Sequence, residues 1–332
     1  MKAYRYEERI ELSALTLVDL PDPTPGPREI VIRLRAVALN YRDLAIARGR
    51  YHVGVSAPLI PLADGAGEVV SVGGQVTRFA VGDLACPIYM PDWIDGPVNA
   101  RVARRRLGGP SDGVLREYLC LSEEEAVRAP AGLAAEEAAT LPVAAVTAWH
   151  SLYELGRVRP GDTVLVQGTG GVSIAAMQLA LAGGARVIAH TRRQQAAAAL
   201  RDLGVHHVLV GAGQREQRRA WSGARADVVV NVAGGASLND SIQATRPEGW
   251  VHLVGYASGI ETSFDMYTAI RHAITLRAAS AGPRLSFENL NRAIEQHRLR
   301  PVVARDYPVG RIRQAYDALA QGGHVGKIVL TF

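Results

Sequence analysis

A glycine-rich loop lies between a predicted strand and a predicted helix in the middle of this 332-residue chain. The mainly apolar run 162–167 (DTVLVQ) ends directly before the loop, and the helical pattern VSIAAMQLALAGG follows it. Glycine at 168 permits a tight turn, glycine at 170 lets a pyrophosphate approach the backbone, and the helix N-terminus offers N–H donors. Ser173 replaces the third glycine of such a pattern, and a glycine-rich connection without a ligand is the alternative. The predicted pyrophosphate-binding residues are Gly168, Thr169, Gly170, Gly171 and Val172.

The sequence after this loop alternates predicted strands and helices. Apolar strand patterns such as RVIAHT, DVVVNV and WVHLVGY are separated by helical segments, which is typical of a parallel sheet covered on both faces. The first 125 residues instead contain strand patterns such as EIVIRLRAVAL between turns rich in proline and glycine. We therefore predict an α/β chain that combines a twisted antiparallel β-domain with a doubly wound parallel sheet.

The end of the second predicted strand indicates which dinucleotide binds. An NAD site places an acidic residue there, about twenty residues after the glycine loop, to bond the ribose hydroxyls. This chain has Ala189-His190-Thr191-Arg192-Arg193, with no acid. A guanidinium can bond a phosphate through two N–H groups, so we predict NADP(H), with Thr191 and Arg192 at the 2′-phosphate. The alternative is that these arginines begin a surface helix.

The composition limits the possible partners and compartments. The net charge is +5 and the densest basic run is 101–106, but no aromatic platform or known motif accompanies it, so we do not expect nucleic acid binding. The charged first residues do not resemble a signal peptide, and the apolar stretch 172–190 is interrupted by Gln178, glycines and Arg186, so we expect no membrane span. Two cysteines in so long a chain are typical of a reducing compartment. We expect a cytoplasmic protein.

Five segments, in the same order, resemble the medium-chain dehydrogenase/reductase superfamily. They are LNYRDLAIARGRY, DGAGEVVSVGGQVTRFAVGD, LPVAAVTAWHSL, VLVQGTGGVS and GGHVGKIVL. Within that superfamily the chain resembles the zinc-independent quinone oxidoreductase branch, whose members are often called zinc-type alcohol dehydrogenase-like. The resemblance implies a GroES-like catalytic domain over 1–125 and 273–332, interrupted by a Rossmann NADP(H)-binding domain over 126–272. It also implies a homodimer, in which an edge strand such as 274–279 pairs with its copy.

The resemblance also identifies the places where zinc-dependent relatives carry their metal ligands. Asn40, Ala63 and Val143 stand at the three catalytic places, which would otherwise hold Cys, His and Cys. Ala63 and Val143 supply no metal-binding side chain. The structural zinc of those relatives needs four closely spaced cysteines, and this chain has only Cys86 and Cys120. We therefore predict no bound metal.

Without zinc, other groups must polarise and protonate the substrate. Asn40, Asp43 and Tyr51 match positions of the quinone oxidoreductases, and Tyr51 also resembles the acid tyrosine of related enoyl thioester reductases. A hydrogen-bond donor there could stabilise an enolate oxygen. Two structural alternatives stay open: Asn40 and Asp43 have the spacing of a helix capping box, and Tyr51 could simply pack. Tyr89, Trp93 and Tyr256 could line an apolar pocket or belong to the core.

Further cofactor contacts are expected at the ends of other elements. Thr147 matches the threonine that lies against the nicotinamide in the superfamily. Ala233, Val254 and Gly255 end two predicted strands, at the edge where open α/β sheets bind ligands. The leading prediction is an NADPH-dependent reductase of apolar quinones, enones or related activated double bonds. The alternatives are a metal-free aldehyde or ketone reductase and a non-catalytic NADPH-binding protein.

Overall fold

The computed structural model describes residues 1–51, 53–211 and 225–332. Contacts among Cα atoms divide the chain into two compact units. Unit 1 comprises Met1–Val146, Gly282–Gly322 and Lys327–Phe332, and unit 2 comprises Thr147–Ala281 and Gly323–Gly326. Within the described residues, no helix has both the length and the apolar character needed to cross a bilayer. Cys86 and Cys120 are both free thiols.

Unit 1 is built on a mainly antiparallel sheet. Its strand order is β14-β15-β3-β4-β5-β7, with β6 also paired to β3, and only the β14–β15 pair is parallel. The strands and helices of unit 1 are β1 (Lys2–Tyr6), β2 (Leu15–Asp19), β3 (Glu29–Ala38), α1 (Tyr41–Ala47), β4 (Asp64–Val72), β5 (Leu84–Pro87), β6 (Tyr118–Ser122), β7 (Ala126–Arg128), α2 (Ala135–Ala138), α8 (Arg284–His297), β14 (Val303–Pro308), α9 (Ile312–Gln321) and β15 (Lys327–Thr331).

The long strand β3 organises this sheet because it pairs with β4, β6 and β15. Its sequence EIVIRLRAVA is rich in β-branched residues, which fit a pleated and half-buried surface. Ile30, Ile32 and Leu34 point to one side by the two-residue period and are fully buried. Unit 1 therefore has its core on this sheet, and α1 begins three residues after β3 ends.

Unit 2 contains a six-stranded parallel sheet with the order β10-β9-β8-β11-β12-β13. Leu165, Ile188, Val229 and Val251, one from each of four neighbouring strands, form part of one buried cluster. The elements are α3 (Val146–Trp149), β8 (Thr163–Gln167), α4 (Gly171–Ala182), β9 (Arg186–Thr191), α5 (Ala197–Asp202), β10 (His207–Val210), β11 (Ala226–Asn231), α6 (Leu238–Ala244), β12 (Thr245–Leu253), α7 (Met266–Arg271) and β13 (Thr275–Ala278).

The predicted fold class is confirmed, with a mainly antiparallel sheet and a parallel sheet in the expected parts of the chain. The boundaries between the units differ from the expected ranges of 1–125 with 273–332 and 126–272. Residues 126–146 join unit 1 because β7 pairs with β5. Residues 273–281 join unit 2 because β13 extends the parallel sheet beside β12. The short segment Gly323–Gly326 also belongs to unit 2.

Candidate functional site

The glycine loop of unit 2 connects β8 to α4. Gly168 has a φ of +82°, a conformation that glycine adopts without strain, and its N–H donates to the His190 carbonyl at 2.8 Å. Gly170 is the N-cap of α4, and no side chain caps this helix end. The Ser173 hydroxyl donates to the Gln167 carbonyl at 2.7 Å, so the serine in place of the third glycine is accommodated by a buried hydrogen bond.

The loop fits the pyrophosphate of a dinucleotide. A Cβ atom built on Gly170 would meet nothing within 4 Å, so packing within the protein does not require glycine there. The open space lies at the N-terminus of α4, where the first N–H groups of a helix lack partners and favour an anion. The structure therefore leaves room for a ligand beside Gly170, where the sequence pattern requires a small residue.

The segment Gly323–Gly326 of unit 2 is hydrogen-bonded to this loop. The Thr169 hydroxyl donates to the His324 carbonyl at 2.9 Å, and the Gly326 N–H donates to the Thr169 carbonyl at 2.9 Å. The guanidinium of Arg193 lies against Gly323. The segment Gly323–Gly326 thus supports the nucleotide loop from a position about 150 residues later in the chain. Sequence reasoning missed this contact because no local pattern links the two segments.

A buried polar network lies beneath the loop and was also missed. The Gln167 amide donates to the Ser241 hydroxyl at 2.9 Å and accepts from the Ser237 hydroxyl at 3.1 Å. The Asn231 amide donates to both serine hydroxyls at 3.0 Å and accepts from the Gly234 N–H at 2.8 Å. The network joins the ends of β8 and β11. Polar residues at the ends of otherwise apolar strands were the available signal.

The remaining predicted cofactor residues lie at other strand ends or on a helix of unit 2. Thr191 ends β9, with its buried hydroxyl accepting from the Arg193 N–H at 3.2 Å, and Arg192 is exposed beyond it. The N–H groups of Val254 and Gly255 both donate to the Asn231 carbonyl, at 2.9 and 3.3 Å. Two others are placed as follows: Ala233 accepts from the Ser258 N–H and hydroxyl at 2.7 Å, and Thr147 is buried in α3.

In unit 1, Asn40 and Asp43 form only half of a capping box. The Asn40 N–H donates to Asp43 Oδ2 at 2.8 Å, as a capping box requires. The Asn40 side chain does not cap α1: its Nδ2 donates to Asp64 Oδ2 at 2.9 Å, and its Oδ1 accepts from Lys327 Nζ at 2.7 Å. The capping alternative therefore accounts for the Asp43 side chain. The Asn40 amide instead bonds to Asp64 and Lys327.

Lys327 and Asp64 form an ion pair inside unit 1. Their side chains are 5% and 0% exposed, and Lys327 Nζ donates to Asp64 Oδ2 at 2.7 Å. The strand register brings them together: Val329 pairs with Ala38 and Ala38 pairs with Asp64, so Lys327 comes level with Asn40. Neither residue was selected from the sequence. Burial raises the pKa of Asp43 nearby, against the opposing effects of Arg42, the Asn40 N–H and Lys327.

Asn40, Ala63 and Val143, which stand where zinc-dependent relatives would carry metal ligands, all lie next to Asp64. Asn40 donates to it from one side, Ala63 precedes it in the chain, and the Val143 N–H donates to its Oδ1 at 2.8 Å. None of the three side chains carries a thiolate or an imidazole. In the described part of the chain, no three His, Cys, Asp or Glu side chains come together in a way that could hold a metal ion.

The rings of Tyr51 and Tyr89 both lie close to one buried cation, the guanidinium of Arg42. The Cζ atom of Arg42 is 5.3 Å from the centre of the Tyr51 ring and 5.1 Å from that of Tyr89. The two hydroxyl groups are 3.4 Å apart. The structure thus brings together one predicted catalytic residue and one predicted pocket residue. Trp93 is buried, with its indole N–H donating to the Gly96 carbonyl at 2.8 Å.

The basic run 101–106 is partly neutralised on the surface of unit 1. Arg105 Nη1 lies 2.9 Å from Asp92 Oδ1 and 2.8 Å from Glu125 Oε1. Carboxylates beside a basic segment oppose the approach of a phosphate backbone. The structure therefore places Arg105 of this run in surface ion pairs.

Two known families match the chain. Residues 26–131 match the Alcohol dehydrogenase GroES-like domain, and residues 171–296 match the Zinc-binding dehydrogenase family. A zinc-type alcohol dehydrogenase-like protein of Schizosaccharomyces pombe is 32% identical over 319 residues, which cover 92% of this chain and 91% of that protein. An acryloyl-coenzyme A reductase of Metallosphaera sedula is 28% identical over 94% of this chain and 95% of its own.

A solved structure has the same fold over the whole chain. The crystal structure of an NAD-dependent alcohol dehydrogenase superposes with a TM-score of 0.90, is 31% identical in sequence and covers 100% of both chains. These similarities confirm the resemblance found in the five sequence segments. The chain therefore belongs to the medium-chain dehydrogenase/reductase superfamily, whose members are oxidoreductases that use a nicotinamide cofactor.

Proposed function

We propose that this chain is a zinc-independent, NADPH-dependent oxidoreductase that reduces quinones, enones or related activated double bonds by hydride transfer. The observation that carries the proposal is the phenol of Tyr51 beside the buried guanidinium of Arg42, in a unit whose zinc-ligand places offer no thiolate or imidazole. These residues do not fit a catalytic zinc ion. The two free thiols support a reducing, cytoplasmic location.

The residues of unit 2 define how NADPH would be held. The loop Gly168–Val172 and the N-terminus of α4 would bind the pyrophosphate. Thr191 and the exposed Arg192 would bind the 2′-phosphate, where an acidic residue would be repulsive. Ala233, Val254, Gly255 and Thr147 are proposed to contact the rest of the nucleotide. When bound, the nicotinamide supplies the hydride.

The residues of unit 1 would stabilise the substrate carbonyl oxygen and supply the proton. Addition of a hydride to a conjugated double bond moves an electron pair onto the carbonyl oxygen, which then needs a hydrogen-bond donor. One amide hydrogen of Asn40 and one ammonium hydrogen of Lys327 have no protein acceptor among the described residues. These donors can stabilise the enolate, and the Tyr51 hydroxyl can deliver the proton to carbon. Asp43 would act by fixing the start of α1.

An acidic substitution at Arg192 tests the cofactor assignment. We expect Arg192→Asp to weaken NADPH binding at least tenfold more than NADH binding, because a carboxylate repels the 2′-phosphate. The matched control is Arg201→Asp, which places the same change at another exposed arginine of unit 2. Fluorescence titration of both nucleotides measures the two dissociation constants. An unchanged NADPH-to-NADH ratio in Arg192→Asp would refute the assignment.

A substrate panel with a chelator tests the reaction class. We expect the purified protein to oxidise NADPH with quinones, enones or enoyl thioesters, and to keep that rate after treatment with a zinc chelator. Turnover restricted to aldehydes and ketones would instead identify a carbonyl reductase. Tight NADPH binding without turnover of any substrate would identify a binding protein. Loss of activity on chelation, restored by zinc, would overturn the metal-independent mechanism.

A further inference from the structure

Arg42 carries a permanent charge into the interior of unit 1. Its side chain is 8% exposed, and its guanidinium is held by Asp43 Oδ1 at 3.0 Å, the Leu107 carbonyl at 3.1 Å and the Gly109 carbonyl at 2.9 Å. Burying a charge is expensive unless it is bonded in this way. The pKa of Arg42 is raised although burial acts to lower it, because Tyr89, Asp43 and Tyr51 stabilise the cation. The charge is therefore fixed in place.

Tyr51 and Tyr89 both lie against the Arg42 guanidinium, but they differ in burial. Tyr89 is buried, whereas Tyr51 is only half-buried and so has access to a substrate or solvent. Their hydroxyls are 3.4 Å apart, a long contact in which either hydroxyl can donate to the other. When Tyr51 loses its proton, the Tyr89 hydroxyl can donate to the phenolate oxygen, and the Arg42 charge attracts it. The reverse assignment would put the phenolate in the more buried position.

We propose that Arg42 and Tyr89 are positioning residues that stabilise the phenolate of Tyr51 and so make Tyr51 an effective proton donor. The proposal rests on the proposed function, in which Tyr51 protonates the reduced substrate. In that step the electron pair of the enolate C=C bond takes the Tyr51 proton to form a C–H bond, the substrate C=O bond is restored, and the Tyr51 oxygen keeps the O–H electron pair as a phenolate. A solvent proton, the one consumed in the net reduction, then restores the Tyr51 hydroxyl. Arg42 stays charged throughout.

The electrostatic surroundings favour this division of roles. Burial acts to raise the pKa of Tyr51, but the Arg42 charge, the hydrogen bonds from Tyr89 and Arg42, and the Arg106 charge together hold it below its usual value of 10. Burial raises the pKa of Tyr89 well above that value. The charged and titratable groups that act on Tyr51 are thus Arg42, Tyr89 and Arg106. The first proton released by the pair comes from Tyr51.

Ultraviolet difference titration measures this effect without any substrate. The tyrosinate absorbance of the wild type minus that of Tyr51→Phe reports the ionisation that depends on Tyr51. We expect a midpoint below pH 10 in the wild type. In Tyr89→Phe and in Arg42→Met, measured against the same variant carrying Tyr51→Phe, we expect the midpoint to rise by at least one pH unit. This corresponds to a tenfold loss of phenolate at a given pH.

Arg48→Met is the matched control, because it removes an exposed arginine just after the same helix. Its midpoint should remain that of the wild type. Tyr89→Phe keeps the ring and removes one hydroxyl, so it tests the proposal even if Arg42→Met does not fold. A wild-type midpoint at or above 10, or an unchanged midpoint in Tyr89→Phe, would overturn the proposal.

The pH profile of turnover separates this proposal from the proposed function. A proton donor must be protonated, so kcat should fall as the pH rises through the Tyr51 pKa. In Tyr89→Phe that descending limb should move to higher pH, while kcat near pH 7 falls, by at most tenfold for each pH unit of that shift, because the phenolate is less stable. A shifted absorbance midpoint together with full activity in Tyr51→Phe would refute Tyr51 as proton donor and still support the electrostatic role. An unshifted midpoint with an inactive Tyr51→Phe would support Tyr51 as proton donor and refute the electrostatic role of Arg42 and Tyr89.

Discussion

The ammonium group of Lys327 is buried beside the Asp64 carboxylate and the Asn40 amide. The Asp64 carboxylate accepts from Lys327, Asn40 and the Val143 N–H, and all of these contacts lie within unit 1. We expect Lys327→Met to lower the free energy of unfolding by about 3–5 kcal/mol, because it leaves a buried carboxylate without its counter-charge. Urea unfolding at pH 7 measures the change.

The double variant Lys327→Met/Asp64→Asn should recover much of this loss, because it removes the uncompensated charge. Lys2→Met is the matched control: Lys2 pairs with Asp19 at 3.0 Å, but both side chains are exposed. Its effect should be small. Equal losses in Lys327→Met and Lys2→Met would show that burial does not set the strength of the internal pair.

At the residue scale, the structure surrounds the predicted residues with partners that the sequence does not indicate. Asn40, Asp43 and Tyr51 were selected, but Arg42, Asp64 and Lys327 complete the two clusters around them. Asp64 and Lys327 are separated by 263 positions, and only the pairing of β3 with both β4 and β15 brings them together. The spacing of Asn40 and Asp43 predicts a capping box, and half of it forms. The half that does not form depends on those distant partners.

The β8–loop–α4 element allows ligand binding to be separated from folding. Gly170→Ser should leave the urea midpoint unchanged, because a Cβ there meets nothing and serine is itself a favourable N-cap residue. The same substitution should weaken NADPH binding at least tenfold, because its side chain takes the space required for the pyrophosphate. Fluorescence titration and urea unfolding of one preparation give both values.

Gly74→Ser is the control, at an exposed turn where a Cβ also meets nothing. Neither its stability nor its nucleotide affinity should change. Gly168→Ala gives the contrast: its φ of +82° is strained for alanine, so we expect a loss of about 1–3 kcal/mol of stability. NADPH affinity retained in Gly170→Ser would mean that the loop does not approach a pyrophosphate.

At the element scale, continuous apolar runs predicted the strands of unit 2 well. The runs DTVLVQ and RVIAHT became β8 and β9, and WVHLVGY contributed to β12. The strand β14 (VARDYP) was missed because it is partly exposed, contains charged residues and ends in Pro308. It forms by pairing with β15 alone. The Ala-rich sequence around Val146 predicts a helix. The π-helical turns Leu141–Ala145 and His150–Leu155, on either side of α3, have no counterpart in the hydrophobic pattern.

At the scale of the whole molecule, we expect one edge of unit 2 to pair with a second copy of the chain. β13 is the last strand of the parallel sheet, and it lies within the predicted pairing segment 274–279. Four large apolar side chains precede it in the chain and are strongly exposed, although most apolar side chains of unit 2 are covered. They are Ile260, Met266, Tyr267 and Ile270, at 76%, 61%, 72% and 71%. We expect a homodimer through this edge.

The double variant Tyr267→Glu/Ile270→Lys should convert the dimer to a monomer, because charged groups resist burial in an apolar interface. Light scattering coupled to size-exclusion chromatography measures the mass. Val81→Lys is the control, since Val81 is 62% exposed but belongs to unit 1. A wild type of single-chain mass, or a double variant that remains dimeric, would contradict this arrangement.

The segment 323–331 has a consequence for how the two units fold, because it contributes to both. Gly323–Gly326 supplies two hydrogen bonds to the nucleotide loop of unit 2, and β15 follows at once and lies between β14 and β3 in unit 1. A nascent chain that lacks these last residues can complete neither unit. Folding can therefore be completed in either unit only after residues 323–331 have been made. A stop codon before residue 323 would damage both halves of the protein at once.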